Sequence, residues 1–351
     1  MHSRSAASRS TDPGWGCAAR RTPTSRFPFR FDRRPPVTTA SVSAHSPGST
    51  PAPIRRRTRP RPALWVLVFP FVVMFVLFFV APIVFALVQS MFATRSSGLG
   101  LGAPETVFVF LENYARAFGD PAFVASLGRL LVFSLIEVPL MVFTALSLAL
   151  LIDSGRARAP RFFRVLYFAP YGVPGVIATL LWGFLYVPAT SPVLQVLASV
   201  GVEVDPLSSG NVLFAIANIA LWGFAGYNMV ILLAALDAIP SELYEAARMD
   251  GASAWSIMWN IKLPLVRPSI ILVTVFTIIG TLQLFVEPLV LAPLTTAINS
   301  TFTPNMAAYN QAFAQGNPNL AAAMAVIVAL IGFVFSFGFL RLVNRKGNRA
   351  W

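Results

Sequence analysis

The chain has 351 residues, of which 56% are hydrophobic and 12% are charged, with a formal net charge of +13. Soluble domains carry about 25% charged residues, so this composition favours an integral membrane protein over a soluble domain with a large core. The single cysteine and both histidines precede residue 63, which excludes Cys–His and Ser–His nucleophilic sites, and zinc sites built on these side chains, from the rest of the chain.

Residues 1–62 are rich in Arg, Pro and Ser and lack a periodic spacing of apolar residues, so we predict a disordered cytoplasmic tail. Bacterial translation sometimes begins at a valine codon, and Val37 gives the hypothesis that residues 1–36 are not translated. A peptide from residues 1–36 in the native protein would refute it. The apolar run from Leu64 is longer than the about 7–15 residues of a signal-peptide core, so we expect it to remain as the first span.

Six apolar segments follow this tail. A helix needs about 20 apolar residues to cross a hydrocarbon core of roughly 30 Å. The six segments cover residues 64–91, 130–152, 165–187, 212–236, 269–286 and 320–340. The predicted fold class is therefore an all-α integral membrane protein with six transmembrane helices, in one domain at residues 63–345. Prolines inside a span, such as Pro170 and Pro174, are tolerated where neighbouring helices satisfy the freed carbonyl groups.

Basic residues near the ends of these segments predict the orientation. One side carries sixteen Lys or Arg residues, whereas the other carries only Arg95, Arg116 and Arg129. Because Lys and Arg accumulate in cytoplasmic loops, both termini, including a short tail at 346–351, are predicted to be cytoplasmic. The basic charge then follows from topology, and nucleic-acid binding is not expected.

The cytoplasmic connector at residues 237–266 is predicted to fold as two short helices. Pro240 and Ser241 suit the start of the first helix, and Gly251 suits the left-handed position that ends it. Ser253 suits the cap of the second helix, and we expect Pro264 to end that helix before the fifth span.

The second of these helices has an apolar face. Trp255, Met258 and Trp259 recur at the i, i+3, i+4 spacing of one helix face. A compact helix pair with such a face, held just inside the membrane, suits insertion into a groove of a soluble partner. The alternative is an amphipathic connector that lies on the lipid headgroups.

The connector also contains a long fixed pattern: Glu-Ala-Ala, three residues, Gly, nine residues, then Ile-x-Leu-Pro. This pattern resembles the EAA loop of the permease subunits of ATP-binding cassette (ABC) importers, and every defined position is present. The resemblance implies a type I ABC importer permease architecture, in which this loop docks on the ATPase. It assigns ATPase coupling to Glu245, Ala246, Ala247, Asp250, Gly251, Ile261, Leu263 and Pro264.

Shorter segments are similar to carbohydrate-type members of that family. Residues 110–114, 120–123, 161–164 and 280–288 resemble parts of the maltose and oligosaccharide group. Members often have a Gly-Gly-Pro turn after the fifth span, but residues 292–295 read Ala-Pro-Leu-Thr here. The resemblance therefore implies a sugar or oligosaccharide as solute, and which sugar stays open. Glycerol-phosphate-type substrates also stay open, although few cationic residues lie in the predicted spans to receive a phosphate.

The family resemblance also implies partners in the bilayer and outside it. These are a second homologous permease subunit, an ABC ATPase dimer and an extracytoplasmic solute-binding protein. The sequence has no Gly-Lys dipeptide, so it cannot build a P-loop for nucleotide phosphates. We therefore expect no cofactor in this chain, no enzymatic activity of its own, and ATP-Mg bound by the partner ATPase.

Polar residues inside the predicted spans are candidates for a substrate path, because such residues are costly in a membrane. Sugars bind through planar hydrogen-bonding groups and an apolar ring face, which amide, carboxyl and indole groups supply. The candidates are Glu137, Asn218, Trp222, Gln283 and Glu287, with Asn228 as a further amide. Gln283 and Glu287 are expected to share a helix face. Alternatively the amides join neighbouring helices, Glu287 reaches external water, and Glu137 pairs with Arg129.

Two other classes of protein stay open at this point. An ion-coupled secondary transporter or channel would show internal repeats and acidic groups placed for ion coupling, and no clear repeat is seen. An integral membrane enzyme would need a Ser-based or carboxylate-only site, and no paired carboxylates are evident. A neighbouring gene for a second permease with its own EAA loop would decide for the importer.

Overall fold

The computed structural model describes residues 62–95, 105–154 and 158–347. The predictions for residues 1–61 and 348–351 lie outside the described residues. The helices are α1 (Pro62–Phe75), α2 (Ala81–Ser90), α3 (Glu112–Gly119), α4 (Pro121–Asp153), α5 (Pro160–Phe168), α6 (Gly175–Tyr186), α7 (Pro192–Ser199), α8 (Val212–Asp237), α9 (Ser241–Met249), α10 (Ala254–Ile257), α11 (Leu263–Leu282), α12 (Val286–Leu291), α13 (Pro304–Tyr309) and α14 (Pro318–Gly347). Strands β1 (Phe92–Arg95) and β2 (Glu105–Phe108) pair antiparallel.

Short irregular helical segments join several of these elements. Three are π-helical, at Val76–Val80, Met258–Lys262 and Asn310–Ala314, and two are 3₁₀-helical, at Ala169–Gly172 and Ala292–Leu294. Within the part of the chain that the structure describes, five helical stretches are long and apolar enough to cross a membrane: Val68–Ser90, Pro121–Asp153, Val212–Asp237, Ala254–Leu294 and Pro318–Val343. The bent pair Pro160–Gly172 and Gly175–Tyr186 completes six, in agreement with the predicted number of spans.

The second span is longer than predicted. Helix α4 has 33 residues and begins at Pro121, where the Asp120 carboxylate accepts a hydrogen bond from the Ala122 N–H. The predicted span began at Leu130 and therefore left Arg129 outside it. In the structure the Arg129 guanidinium donates to the Phe302 carbonyl and lies 4.6 Å from the Phe302 ring centroid. These contacts stabilise the charged side chain within α4.

The third span is not the continuous helix that was predicted. It bends by 97° between Gly172 and Gly175. Val173 is extended, with φ −84° and ψ 125°, because the residue before a proline is disfavoured in the helical region. Pro174 therefore breaks the span, and the prediction that it is accommodated inside one helix is wrong.

The start of the fifth span also differs from the prediction. Pro264 does not end the second connector helix, because α10, the π-helical segment Met258–Lys262 and α11 run on as one rod. Within the π segment the Leu263 N–H donates to the Met258 carbonyl. The wider π-helical turn accommodates Pro264, which has no N–H to donate. The connector is therefore continuous with the fifth span.

Small residues bring the central helices together. Ala145 and Ala149 of α4 are fully buried and pack with Met229 and Leu232 of α8 and Val273 of α11. Side chains as small as alanine let two helices approach closely, and van der Waals contact of this kind holds helices together in lipid. By contrast, the apolar part of the first span is exposed throughout, which suits contact with lipid.

Candidate functional site

A cavity of about 700 Å³ lies among α4, α6, α8 and α11. Its wall combines aliphatic residues with a smaller number of polar groups. Three of the predicted path residues, Glu137, Gln283 and Glu287, line it, and so does Asn228. A concave site with a few convergent polar groups is the usual form of a small-molecule site.

The end of α11 places two of these groups. The helix stops at Leu282, and Phe285 leaves the helical region with φ −149° and ψ −51° before α12 begins. The Asn305 amide donates to the Leu282 and Leu284 carbonyls at 3.1 and 3.3 Å, which satisfies backbone groups that the break frees. The expectation that Gln283 and Glu287 share a face of one helix is therefore wrong, although both reach the cavity.

Glu137 lies near the middle of α4 and is 1% exposed. Neither carboxyl oxygen has a hydrogen-bond partner among the described residues. The suggested pairing with Arg129 does not occur, because that guanidinium is held by Phe302. The carboxyl group thus faces the cavity without a protein partner.

An aromatic wall, which the sequence analysis did not identify, lines the same cavity. The rings of Tyr171 and Tyr227 stack with centroids 4.6 Å apart, and Phe224 meets Tyr171 edge-on at 5.9 Å. Tyr171 follows α5 at the bend of the third span, whereas Phe224 and Tyr227 belong to α8. The three rings come from two different spans, so spacing along one helix offered no signal.

Two predicted path residues do not line this cavity. The Asn218 amide donates to the Tyr186 hydroxyl at 2.8 Å, and that hydroxyl donates to the Ala215 carbonyl. Trp222 meets Trp182 edge-on with ring centroids 6.0 Å apart. Both residues therefore join α8 to α6, which was the alternative considered for the amides.

A second candidate site is the helix pair formed by α9 and α10. Between the two helices Gly251 has φ +80°, its N–H donates to the Arg248 carbonyl, and the Ala252 N–H donates to the Ala247 carbonyl. This pair of hydrogen bonds forms a helix C-cap that requires a residue in the left-handed conformation. Ser253 then caps α10 by accepting from the Ser256 N–H at 3.2 Å, so the predicted stop and cap are confirmed.

The helix pair presents an apolar surface to its surroundings. Met249, Trp255 and Trp259 are 88%, 68% and 52% exposed, and the two indole rings meet with centroids 5.7 Å apart. Scattered exposed apolar residues are common, but clustered aromatic rings on a surface indicate an interaction site. Trp255 and Trp259 of the predicted apolar face are thus exposed, whereas Met258, its third member, is half-buried.

Ion pairs tie this connector to neighbouring spans. Lys262 pairs with Asp153 at the end of α4, where both side chains are largely buried, and its ammonium lies 5.1 Å from the Tyr244 ring centroid. Burial, and then the nearby Asp153 carboxylate, raises the pKa of the Tyr244 phenol above its ordinary value. A more exposed pair joins Arg164 to Asp237 at 3.2 Å.

The chain matches the protein family described as "Binding-protein-dependent transport system inner membrane component" over residues 123–348. It belongs to this family. The match covers the cavity and the exposed helix pair, so this permease carries both sites within the family's shared region.

Three relatives of the permease cover most of its length. The diacetylchitobiose uptake system permease protein NgcF of Streptomyces coelicolor is 30% identical over 86% of this chain and 90% of its own. The lactose transport system permease protein LacF of Rhizobium radiobacter is 30% identical over 78% and 91%. The sn-glycerol-3-phosphate transport system permease protein UgpA of Agrobacterium fabrum is 30% identical over 78% and 93%.

The permease also shares its fold with a solved ABC transporter. A bacterial transporter involved in the import of the acidic polysaccharide alginate matches with a TM-score of 0.68 and 20% identity, over 81% of this chain and 95% of the other. Its complex with an alginate pentasaccharide-bound periplasmic protein matches with a TM-score of 0.69. The predicted ABC importer permease architecture is therefore confirmed.

The residues that resembled the EAA loop occupy three places in the permease. The Glu-Ala-Ala run lies on α9, Asp250 and Gly251 form the turn, and the Ile-x-Leu-Pro run spans the junction of the π segment with α11. Among the described residues no group of three His, Cys, Asp or Glu side chains is placed to hold a metal ion. The permease is a transport subunit of the inner membrane.

Proposed function

We propose that this permease forms half of the translocation path of an ATP-driven importer, and that the solute is a sugar or oligosaccharide. The observation that carries the proposal is the cavity, in which a stacked aromatic wall and hydrogen-bonding groups surround one space. Aromatic rings pack against the apolar face of a sugar ring, while carboxyl and amide groups accept and donate to its hydroxyl groups. The names of two relatives, which refer to diacetylchitobiose and lactose, support a saccharide.

The exposed helix pair is the proposed link to an ABC ATPase dimer, which binds ATP-Mg. Its apolar surface around Trp255 and Trp259 would enter a groove of the ATPase. A movement of the helix pair driven by the ATPase would be transmitted through the continuous rod from α10 to α11, which ends next to Gln283. The proposed coupling residues are Glu245, Ala246, Ala247, Asp250, Gly251, Ile261, Leu263 and Pro264.

Two further partners belong to the proposal. A second homologous permease would complete the path, and an extracytoplasmic solute-binding protein would deliver the solute. The family description refers to binding-protein-dependent transport, and the solved alginate transporter was captured with a periplasmic protein. Both observations support a binding protein for this permease.

Uptake by cells that carry the whole transporter tests the proposal. The probes are radiolabelled diacetylchitobiose, lactose and sn-glycerol-3-phosphate, each compared with a strain that lacks the permease. We expect saccharide uptake that disappears when the partner ATPase is inactivated, and copurification of a second permease and an ATPase with the tagged chain. Solute movement that persists without the ATPase would instead indicate the ion-coupled transporter or channel.

A further inference from the structure

Glu137 presents a buried carboxyl group that the protein does not satisfy. It is 1% exposed, both oxygens lack hydrogen-bond partners among the described residues, and it lines the cavity. Burial of an ionisable group without partners opposes folding, so such a group inside a membrane protein is a functional candidate. A hydroxyl group of a solute that occupies the cavity can supply the hydrogen-bond donor that this carboxyl group lacks.

Several other groups of the cavity also favour donors on the ligand, although the Gln283 and Asn228 amides can themselves donate. Glu287 adds a second carboxyl group, and no Lys or Arg lines the cavity within the described ranges. The hydroxyl groups of Thr277 and Thr281 donate to backbone carbonyls of their own helix, so they present oxygen lone pairs rather than protons. Arg129, the basic residue of α4, is held by Phe302 and is not free to balance the carboxyl groups.

This set of polar groups discriminates between solutes. An anion that leaves water for the low-dielectric interior of a membrane protein needs a cationic partner to offset its lost hydration. A phosphate or carboxylate would meet two carboxyl groups and no basic side chain, whereas a hydroxyl group would donate to them. The family does not settle the choice, because the relatives' names refer both to uncharged disaccharides and to a phosphate ester.

We propose that the cavity recognises uncharged saccharides, with the Glu137 carboxyl group accepting hydrogen bonds from their hydroxyl groups, and that it discriminates against solutes bearing carboxylate or phosphate. The Tyr171 and Tyr227 rings would support the sugar ring face. This inference rests on the proposed function and names the substrate class of the same cavity.

Equilibrium binding to the complete purified transporter, without its solute-binding protein, tests this inference. Omitting the binding protein removes its own selectivity, so the measurement reports on the path through the permease. The probes are diacetylchitobiose, lactose, sn-glycerol-3-phosphate and the deacetylated, amine-bearing form of the first. We expect an uncharged disaccharide to bind at least about tenfold more tightly than the phosphate ester, because the charged ester loses hydration in a cavity without a cationic side chain.

Two substitutions separate recognition from folding. Glu137→Leu should weaken saccharide binding by about tenfold or more, while the Tm of the purified assembly stays the same or rises, because an unsatisfied buried group is removed. Glu137→Gln keeps oxygen and amide hydrogen bonding, so it should weaken saccharide binding less and narrow the discrimination against phosphate. Glu203→Gln, at an exposed position between α7 and α8, is the matched control and should change neither property.

Wild-type saccharide affinity in Glu137→Leu would overturn the inference. Preferred binding of the phosphate ester or of the amine-bearing disaccharide would overturn it as well. If Glu137→Leu does not assemble, wild-type affinity and discrimination in Glu137→Gln would have the same meaning. Failure of the proposed function is separately visible, because no ATPase would then copurify with the wild-type chain.

Discussion

Gly251 is the residue on which the shape of the exposed helix pair depends. Its φ of +80° lies in the left-handed region, where a side chain is strained, and an added Cβ would meet no atom within 4 Å. Only the backbone therefore opposes substitution at this position. The two hydrogen bonds that end α9 hold only while residue 251 keeps this conformation.

Gly251→Val should reduce uptake strongly while membrane insertion persists, because a β-branched residue adds about 1–2 kcal/mol or more of strain to the turn. Uptake and ATP hydrolysis in the complete transporter are the measurements. Gly210→Val is the matched control, since Gly210 is exposed, has open space around it and lacks a positive φ. Normal uptake by Gly251→Val would contradict the proposed coupling role.

Gly226 has the opposite constraint, since its surroundings and not its backbone exclude a side chain. A Cβ on Gly226 of α8 would overlap the carbonyl group of Tyr167 on α5. Neither backbone can give way cheaply at such a contact.

Gly226→Ala should destabilise the permease by about 1–3 kcal/mol, because the overlap forces α5 away from α8. Thermal unfolding of the purified protein measures the change. Gly223→Ala, one turn earlier on α8 with no atom within 4 Å of the added Cβ, should be neutral or stabilising by about 0.5–1 kcal/mol. Equal Tm values for the two variants would refute the packing argument.

At the scale of elements, the connector meets the spans through two ion pairs of different character. Lys262 and Asp153 have side chains 16% and 13% exposed, whereas those of Arg164 and Asp237 are 41% and 47% exposed. Removing one partner of a buried pair leaves an uncompensated charge, while an exposed pair is screened by solvent. The buried pair is therefore the stronger tie between the rod and α4.

Lys262→Met should destabilise the permease by about 3–5 kcal/mol and lower uptake per ATP hydrolysed, because Asp153 is left buried and unpaired. The double variant Lys262→Met with Asp153→Leu should recover most of the stability but not the coupling. Arg164→Met is the control, with an expected cost of about 0–1 kcal/mol. Unchanged uptake per ATP in the double variant would show that the pair supports stability alone.

At the scale of the whole molecule, the orientation in the membrane is still a prediction from the distribution of basic residues. It places the exposed helix pair in the cytoplasm and the segment between α7 and α8 outside. Cysteine labelling can test this, because Cys17 is the only native cysteine and can be replaced by serine.

In a Cys17→Ser background, a membrane-impermeant maleimide should label Glu203→Cys in intact spheroplasts and Met249→Cys only in inverted vesicles. Both positions are exposed, so accessibility depends on the side of the membrane. Labelling of Met249→Cys in spheroplasts would reverse the predicted orientation and rule out docking of this surface on a cytoplasmic ATPase.

The class of protein and the local form of its connector were predictable from the amino-acid sequence. Apolar length predicts spans because a backbone in lipid must satisfy its own hydrogen bonds, and six spans were found. The turn at Gly251 and the cap at Ser253 are also local, since each depends on neighbouring backbone groups. The EAA resemblance gave the family before any fold was known.

The residues that form the cavity could not be predicted without the packing of the spans. The partner of Arg129 is Phe302, 173 residues away, so the sequence offered no reason to place that charge inside a span. The bend before Pro174 brings Tyr171 against Tyr227, and the break after Leu282 separates Gln283 from the helix that carries Glu287. Each of these features depends on contacts between segments that are distant in the sequence. The periodicity of apolar residues along one helix carries no information about such contacts.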